Sequence, residues 1–135
     1  MLIITVNPDR HIEFLDAILH KLAGPQSRAA FWFYRPVTLP LTAESLSGPS
    51  PFPTSGSTLA GHGYLLPLTM QNAGTLTSFL SGDMDALSAL IHLEVEKQGQ
   101  LQFQAYDSFS VNLPGPDLDD RWLSALAERG IIEIN

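Results

Sequence analysis

Apolar and polar residues alternate most regularly in the stretch IHLEVEKQGQLQFQAY. Ile91, Leu93 and Val95 interleave with His92, Glu94 and Glu96, and Leu101, Phe103 and Ala105 interleave with Gln102 and Gln104. A period of two belongs to a strand with one covered face, so the stretch predicts a β-hairpin turning near Lys97 to Gln100. Its apolar face belongs on a core and its polar face toward water. Alternation resumes at Phe109, Val111 and Leu113, a third antiparallel strand, and Pro114-Gly115-Pro116 stops it.

Earlier in the chain the period changes. Residues 2–6 (LIITV) are aliphatic and β-branched, a strand, and Asn7-Pro8 then supplies a helix start. Ile12, Leu15, Ile18, Leu19 and Leu22 recur every three or four positions, so a helix with one buried stripe runs to Gly24-Pro25. Residues 29–35 (AAFWFYR) place Phe31 and Phe33 on one strand face and Trp32 and Tyr34 on the other. Both faces want cover, which predicts a central strand between two layers; the alternative is a sheet with one aromatic face open to a partner.

The segment SGPSPFPTSGS, 47–57, is rich in Pro, Gly, Ser and Thr around a single Phe52 and predicts an exposed, flexible loop over 47–58. After Gly61-His62-Gly63, YLLPLT reads as a short strand, with Pro67 favouring an edge. Residues 72–90 read as a helix in two pieces broken at Gly82, with Asp83 capping the second. Asp117 opens a last helix with Trp122, Leu123, Leu126 and Ala127 inward, Arg129-Gly130 closes it, and residues 131–134 (IIEI) add a strand. Helices fall between runs of strands, so the class is α+β: a single domain over 1–135, a mixed or mostly antiparallel sheet, a meander in the C-terminal half and three to four helices.

Composition narrows the function. A formal net charge of −7 repels phosphate backbones, and seven scattered Lys and Arg form no basic patch, which argues against direct nucleic-acid binding. An acidic surface suits a protein partner with a basic surface, whose approach it accelerates. The absence of cysteine removes thiol chemistry and Cys-type zinc sites. The start MLIITVNPDR does not read as a signal peptide and no apolar run is long enough to span a bilayer, so a cytoplasmic protein without membrane attachment is expected.

Candidate chemistry is sparse. His11, His20, His62 and His92 lack zinc-clamp spacing, no hydrolase, kinase or nucleotide-binding motif occurs, and neither a catalytic residue nor a metal or other cofactor is expected. His62 lies between two glycines, which permit close approach of a ligand, so a pocket of His62 with Phe52 at the loop tip is one alternative. Asp83 and Asp85 resemble part of a cation loop, but the stretch lacks the later Gly and Glu of an EF-hand, and a helix cap accounts for them. Glu94 and Glu96 have no cap to serve and read as solvated charge or as an acidic binding face. With Gln102, Gln104, Asp83 and Asp85 they form the candidate partner-binding set.

The hairpin, the Tyr106-Asp107-Ser108-Phe109 element after it, and an amphipathic helix bearing W-L-x-x-L before Gly130 together resemble small immunity proteins of bacterial polymorphic-toxin systems. The resemblance covers the last third of the chain. It implies a stoichiometric, non-enzymatic inhibitor that neutralises a toxin by covering its active site, and it transfers no residue roles. Two further readings stand beside it: a small-ligand binder or enzyme at His62 and the 47–58 loop, and a domain that dimerises through its sheet.

Overall fold

A computed structural model describes residues 3–53, 55 and 59–135. The chain is α+β, and among the described residues it contains four α-helices and eight strands in two antiparallel sheets. Strand β1 (Ile4–Val6) pairs with β8 (Ile132–Ile134), joining the two ends of the chain in a two-stranded sheet. The other six strands, β2 (Ser27–Phe33), β3 (Glu44–Leu46), β4 (His62–Pro67), β5 (Leu90–Lys97), β6 (Gln100–Tyr106) and β7 (Val111–Pro114), form a sheet in the order β3-β4-β2-β5-β6-β7. The aromatic strand is therefore central, as its two apolar faces required, and β5, β6 and β7 are the meander.

Local chemistry sets the helix ends. Asn7 Oδ1 accepts the Asp9 N–H over a 3₁₀ turn, Pro8–Arg10, that leads into α1 (His11–Leu22). Thr69 Oγ1 caps α2 (Met70–Gly82), which starts two residues earlier than read from the sequence, and Asp83 Oδ1 caps α3 (Met84–Ala89) at 3.0 Å from Ala86 N. Asp119, rather than Asp117, caps α4 (Asp120–Glu128), its Oδ1 accepting the Trp122 N–H at 2.9 Å, while the Asp117 N–H is held by Gln102 Oε1 at 2.8 Å. Gly130, at φ 74°, ends α4, with the Ile131 N–H reaching back to Leu126 O.

One face of the large sheet carries Ala29, Phe31, Phe33, Leu66, Leu93, Val95, Phe103 and Ala105, which form one core with the buried stripe of α1 and with Ala73, Leu76 and Leu80 of α2. Phe14 of α1 meets Phe103 and Phe109 edge-on, at 5.6 and 6.0 Å between ring centroids. The hairpin turns through Gln98 and Gly99, both at positive φ, the pairing that matches the right-handed twist of the strands.

Two irregularities break the alternation expected along the hairpin. The register slips by one residue between Trp32 and Phe33 against β5, and again between Val95 and Glu96 against β6. Ile91 and Gln102 are the extra residues, and each bulge turns the residues beyond it to the other face. Leu101 consequently lies opposite Glu96, and Ile91 and Leu101 both pack on the Trp32 side rather than with Leu93 and Phe103.

Candidate functional site

The polar face of the hairpin, which shares the second face of the large sheet with Trp32, was expected to meet water. It is covered instead. Ala30 and Trp32 of β2 pack there against Phe52, which is 0% exposed, with Leu46, Leu59, Leu65, Ile91 and Leu101 around them. Close approach of β4 depends on Gly63, where a Cβ would stand 2.8 Å from Trp32 Nε1 and 2.9 Å from Leu46 Cβ. Residues 47–53 and 55 of the proline-rich segment thus lie on the sheet as a strap; residues 54 and 56–58 of the expected flexible loop lie outside the described ones. Phe52 is an anchor and not an exposed tip, because the sheet offers its ring an apolar floor worth about 1.5–3 kcal/mol.

Glu94 is the second anchor. Its carboxylate is fully buried and accepts hydrogen bonds from Ser50 Oγ, Ser55 Oγ and Tyr106 Oη, each at 2.5 Å. Gln104 Nε2 donates to the same Tyr106 oxygen at 2.8 Å, and Ser50 Oγ accepts the Phe52 N–H at 3.1 Å. Glu96 is 7% exposed and pairs with Arg28 at 2.9 Å, and the Arg28 guanidinium lies 5.4 Å over the Phe52 ring. A buried carboxylate persists where charge-assisted hydrogen bonds replace its lost hydration. Three hydroxyl donors do that here.

The candidate binding set therefore divides. Glu94, Glu96 and Gln102 are withdrawn from solvent, Gln102 through its bond to Asp117 N, which corrects the expectation of a solvated acidic face. Gln104 is half-buried. Asp83 is half-buried and occupied as a cap, while Asp85 is exposed. His62 is exposed at the start of β4 in register with Phe33, whereas its neighbour Gly63 lies beside Trp32. Strand alternation thus sends His62 and Phe52 to opposite faces of the sheet.

Ser50, Ser55, Tyr106 and Arg28 were missed by sequence reasoning. The one signal available was Phe52 itself, a large apolar residue inside a polar, proline-broken segment. Such a residue gains by docking, and the hydroxyls flanking it dock with it.

Beside Tyr106 the chain bends through Asp107, Ser108 and Phe109, three consecutive non-glycine residues at φ 54°, 56° and 66°. Residues held in the left-handed region cost on the order of 1–3 kcal/mol each and persist only where surrounding contacts fix them. The Asp107 N–H is accepted by His92 Nδ1 at 3.2 Å, the Ser108 N–H by Ile91 O at 2.9 Å, and the Phe109 carbonyl accepts from the buried Asn112 Nδ2 at 2.7 Å. Asn112 Nδ2 also reaches Ile4 O, while Asn112 Oδ1 has no partner among the described residues. The Phe109 ring meets that of His11 in a tilted contact, 5.0 Å between centroids. Burial lowers the His11 pKa; burial also lowers that of His92, outweighing the carboxylates of Asp107 and Glu94, so both imidazoles are neutral at pH 7.

No group of three or more His, Cys, Asp or Glu able to hold a metal ion occurs among the described residues, and no described helix is long and apolar enough to cross a membrane. In comparisons with known proteins, no family model, curated protein or solved structure matches the chain.

Proposed function

We propose that the chain is a non-enzymatic protein-binding domain that recognises a partner with a basic surface, in the manner of an immunity-type inhibitor that neutralises a toxin by direct binding. The disposition of charge carries this reading. Arg10 and Arg28 are each engaged by a carboxylate of the chain itself, Glu13 and Glu96. Asp85, Asp107, Asp117 and Asp120 are exposed and have no ion-pair partner among the described residues. Unpaired exposed carboxylates on a chain of net charge −7 steer a cationic partner before docking. The buried carboxylates fix the shape that carries them.

Affinity capture with the folded protein, followed by stopped-flow association with the purified partner, tests the reading. A stoichiometric complex with a basic protein is expected, with an association rate that falls as salt rises, since exposed charges are screened beyond about 8 Å at physiological ionic strength. A metabolite that raises the melting temperature, with no protein captured, would replace it by ligand binding.

A further inference from the structure

A crevice of about 290 Å³ separates the Pro8–Arg10 turn and the first turn of α1 from α3. Pro8, Ile12 and Leu87 give it apolar lining, Met84 stands at its wall with 67% of its surface exposed, and Asp9, His11 and Ser81 of α2 contribute its polar groups. We infer that this crevice receives an arginine side chain of the basic protein partner, an inference that rests on the binding function proposed above.

Volume, lining and charge agree. At about 290 Å³ the crevice lies at the small end of the roughly 300 to 1,000 Å³ range of ligand sites and has room for one long side chain. Apolar walls accept the aliphatic stem of such a chain while its charged head stays at a polar rim. The Asp9 carboxylate is exposed and has no ion-pair partner among the described residues, and Asp85, next to Met84, is in the same condition. No Lys or Arg lines the crevice, and the nearest guanidinium in sequence, Arg10, is held by Glu13 at 2.7 Å. His11 is kept neutral by burial and adds no repelling charge at pH 7. A guanidinium is more weakly hydrated than an ammonium and loses less on entering a partly apolar cleft, which favours arginine over lysine. Met84 suits an interface, since an unbranched thioether adapts to the surface laid against it.

The test uses the whole protein, labelled with ¹⁵N on the backbone and at methionine and isoleucine methyls, titrated with acetyl-Gly-Leu-Arg-Gly-amide and with the same peptide carrying neutral citrulline in place of arginine. Saturable shifts of the Met84 and Ile12 methyls are expected with the arginine peptide, and binding about fivefold weaker with citrulline. Asp9→Asn and Met84→Ser should each weaken the arginine peptide to a similar extent without changing the melting temperature, while Asp120→Asn should leave it unaltered. Equal binding of the two peptides would overturn the charge argument. Shifts that spare the crevice but appear around Asp117 and Asp120 would overturn the assignment of this site and leave the basic-partner reading standing. Binding of the arginine peptide nowhere, together with failure to capture a basic protein, would overturn both.

Discussion

Tyr106 donates its phenolic hydrogen to the carboxylate of Glu94 at 2.5 Å, and the same carboxylate holds Ser50 and Ser55 of the strap, so one buried charge ties the meander to a segment more than 38 residues away in sequence. Removing it should loosen both. Glu94→Ala leaves three hydroxyls to find other partners and should cost about 2–4 kcal/mol, read as a loss of melting temperature. Glu94→Gln, which keeps one acceptor, should cost less. Charge reversal with Glu94→Lys and Glu96→Lys, harmless on a solvated face, should instead unfold the protein, because it buries two ammonium groups and abandons Arg28. A folded double variant would show that the strap does not cover these residues.

Phe52→Ala should cost about 3 kcal/mol through lost packing on Ala30 and Trp32. It should also speed proteolysis within 47–53, since the backbone there is held chiefly through that ring and Ser50. Limited proteolysis with mass spectrometry checks this; an unchanged cleavage rate would mean that the segment is secured elsewhere.

Phe103→Asp and Gln102→Asp should both destabilise. The first buries a charge in the core shared with Phe14. The second shortens the side chain that accepts the Asp117 N–H and places a carboxylate at a site only 3% exposed, at a cost of about 1–3 kcal/mol. Chemical denaturation of the two variants measures the difference, and wild-type stability for Gln102→Asp would contradict the bulge that turns Gln102 inward.

At Ser108 the backbone conformation favours glycine. Ser108→Gly should be neutral or stabilising by less than about 1 kcal/mol, whereas Ser108→Val should destabilise by more than that, because a β-branched residue is poorly tolerated at positive φ. Equal melting temperatures for the two variants would exclude the left-handed turn.

The two half-buried imidazoles predict a pH dependence. His11 and His92 both have folded pKa values below the ordinary 6.5, so as pH falls through and below that value the unfolded chain takes up protons before the folded one does. Their contribution is complete above the unfolded pKa and is lost progressively as pH drops toward the folded values. Thermal melts from pH 7.5 to 5 should therefore show a steeper loss for the wild type than for His11→Gln/His92→Gln. Parallel curves would mean that neither imidazole is desolvated.

Much of the architecture was legible in the pattern of residues. The stripe of α1, the alternation of β5 and β6, the Gly82 break with its Asp83 cap and the two apolar faces of β2 are set by neighbours in sequence, since side-chain direction follows the helical or strand period and capping acts over three residues. The α+β class follows from their order. The short strand β3, paired with Glu44 opposite Leu65, carried no such pattern because three residues are too few to show one.

The fate of the polar face was decided elsewhere. Along the chain, Glu94, Glu96 and Gln102 look like any alternating polar residues on a hydrated strand. They are buried by a segment more than 38 positions earlier that lays Phe52 on Trp32, and by two bulges that no period records. Sequence determined which residues could form strands and helices and the sign of the surface charge, because those are local or additive properties. Tertiary structure alone decided which carboxylates remain outside to meet a partner, because burial depends on contacts between segments that the chain order keeps apart.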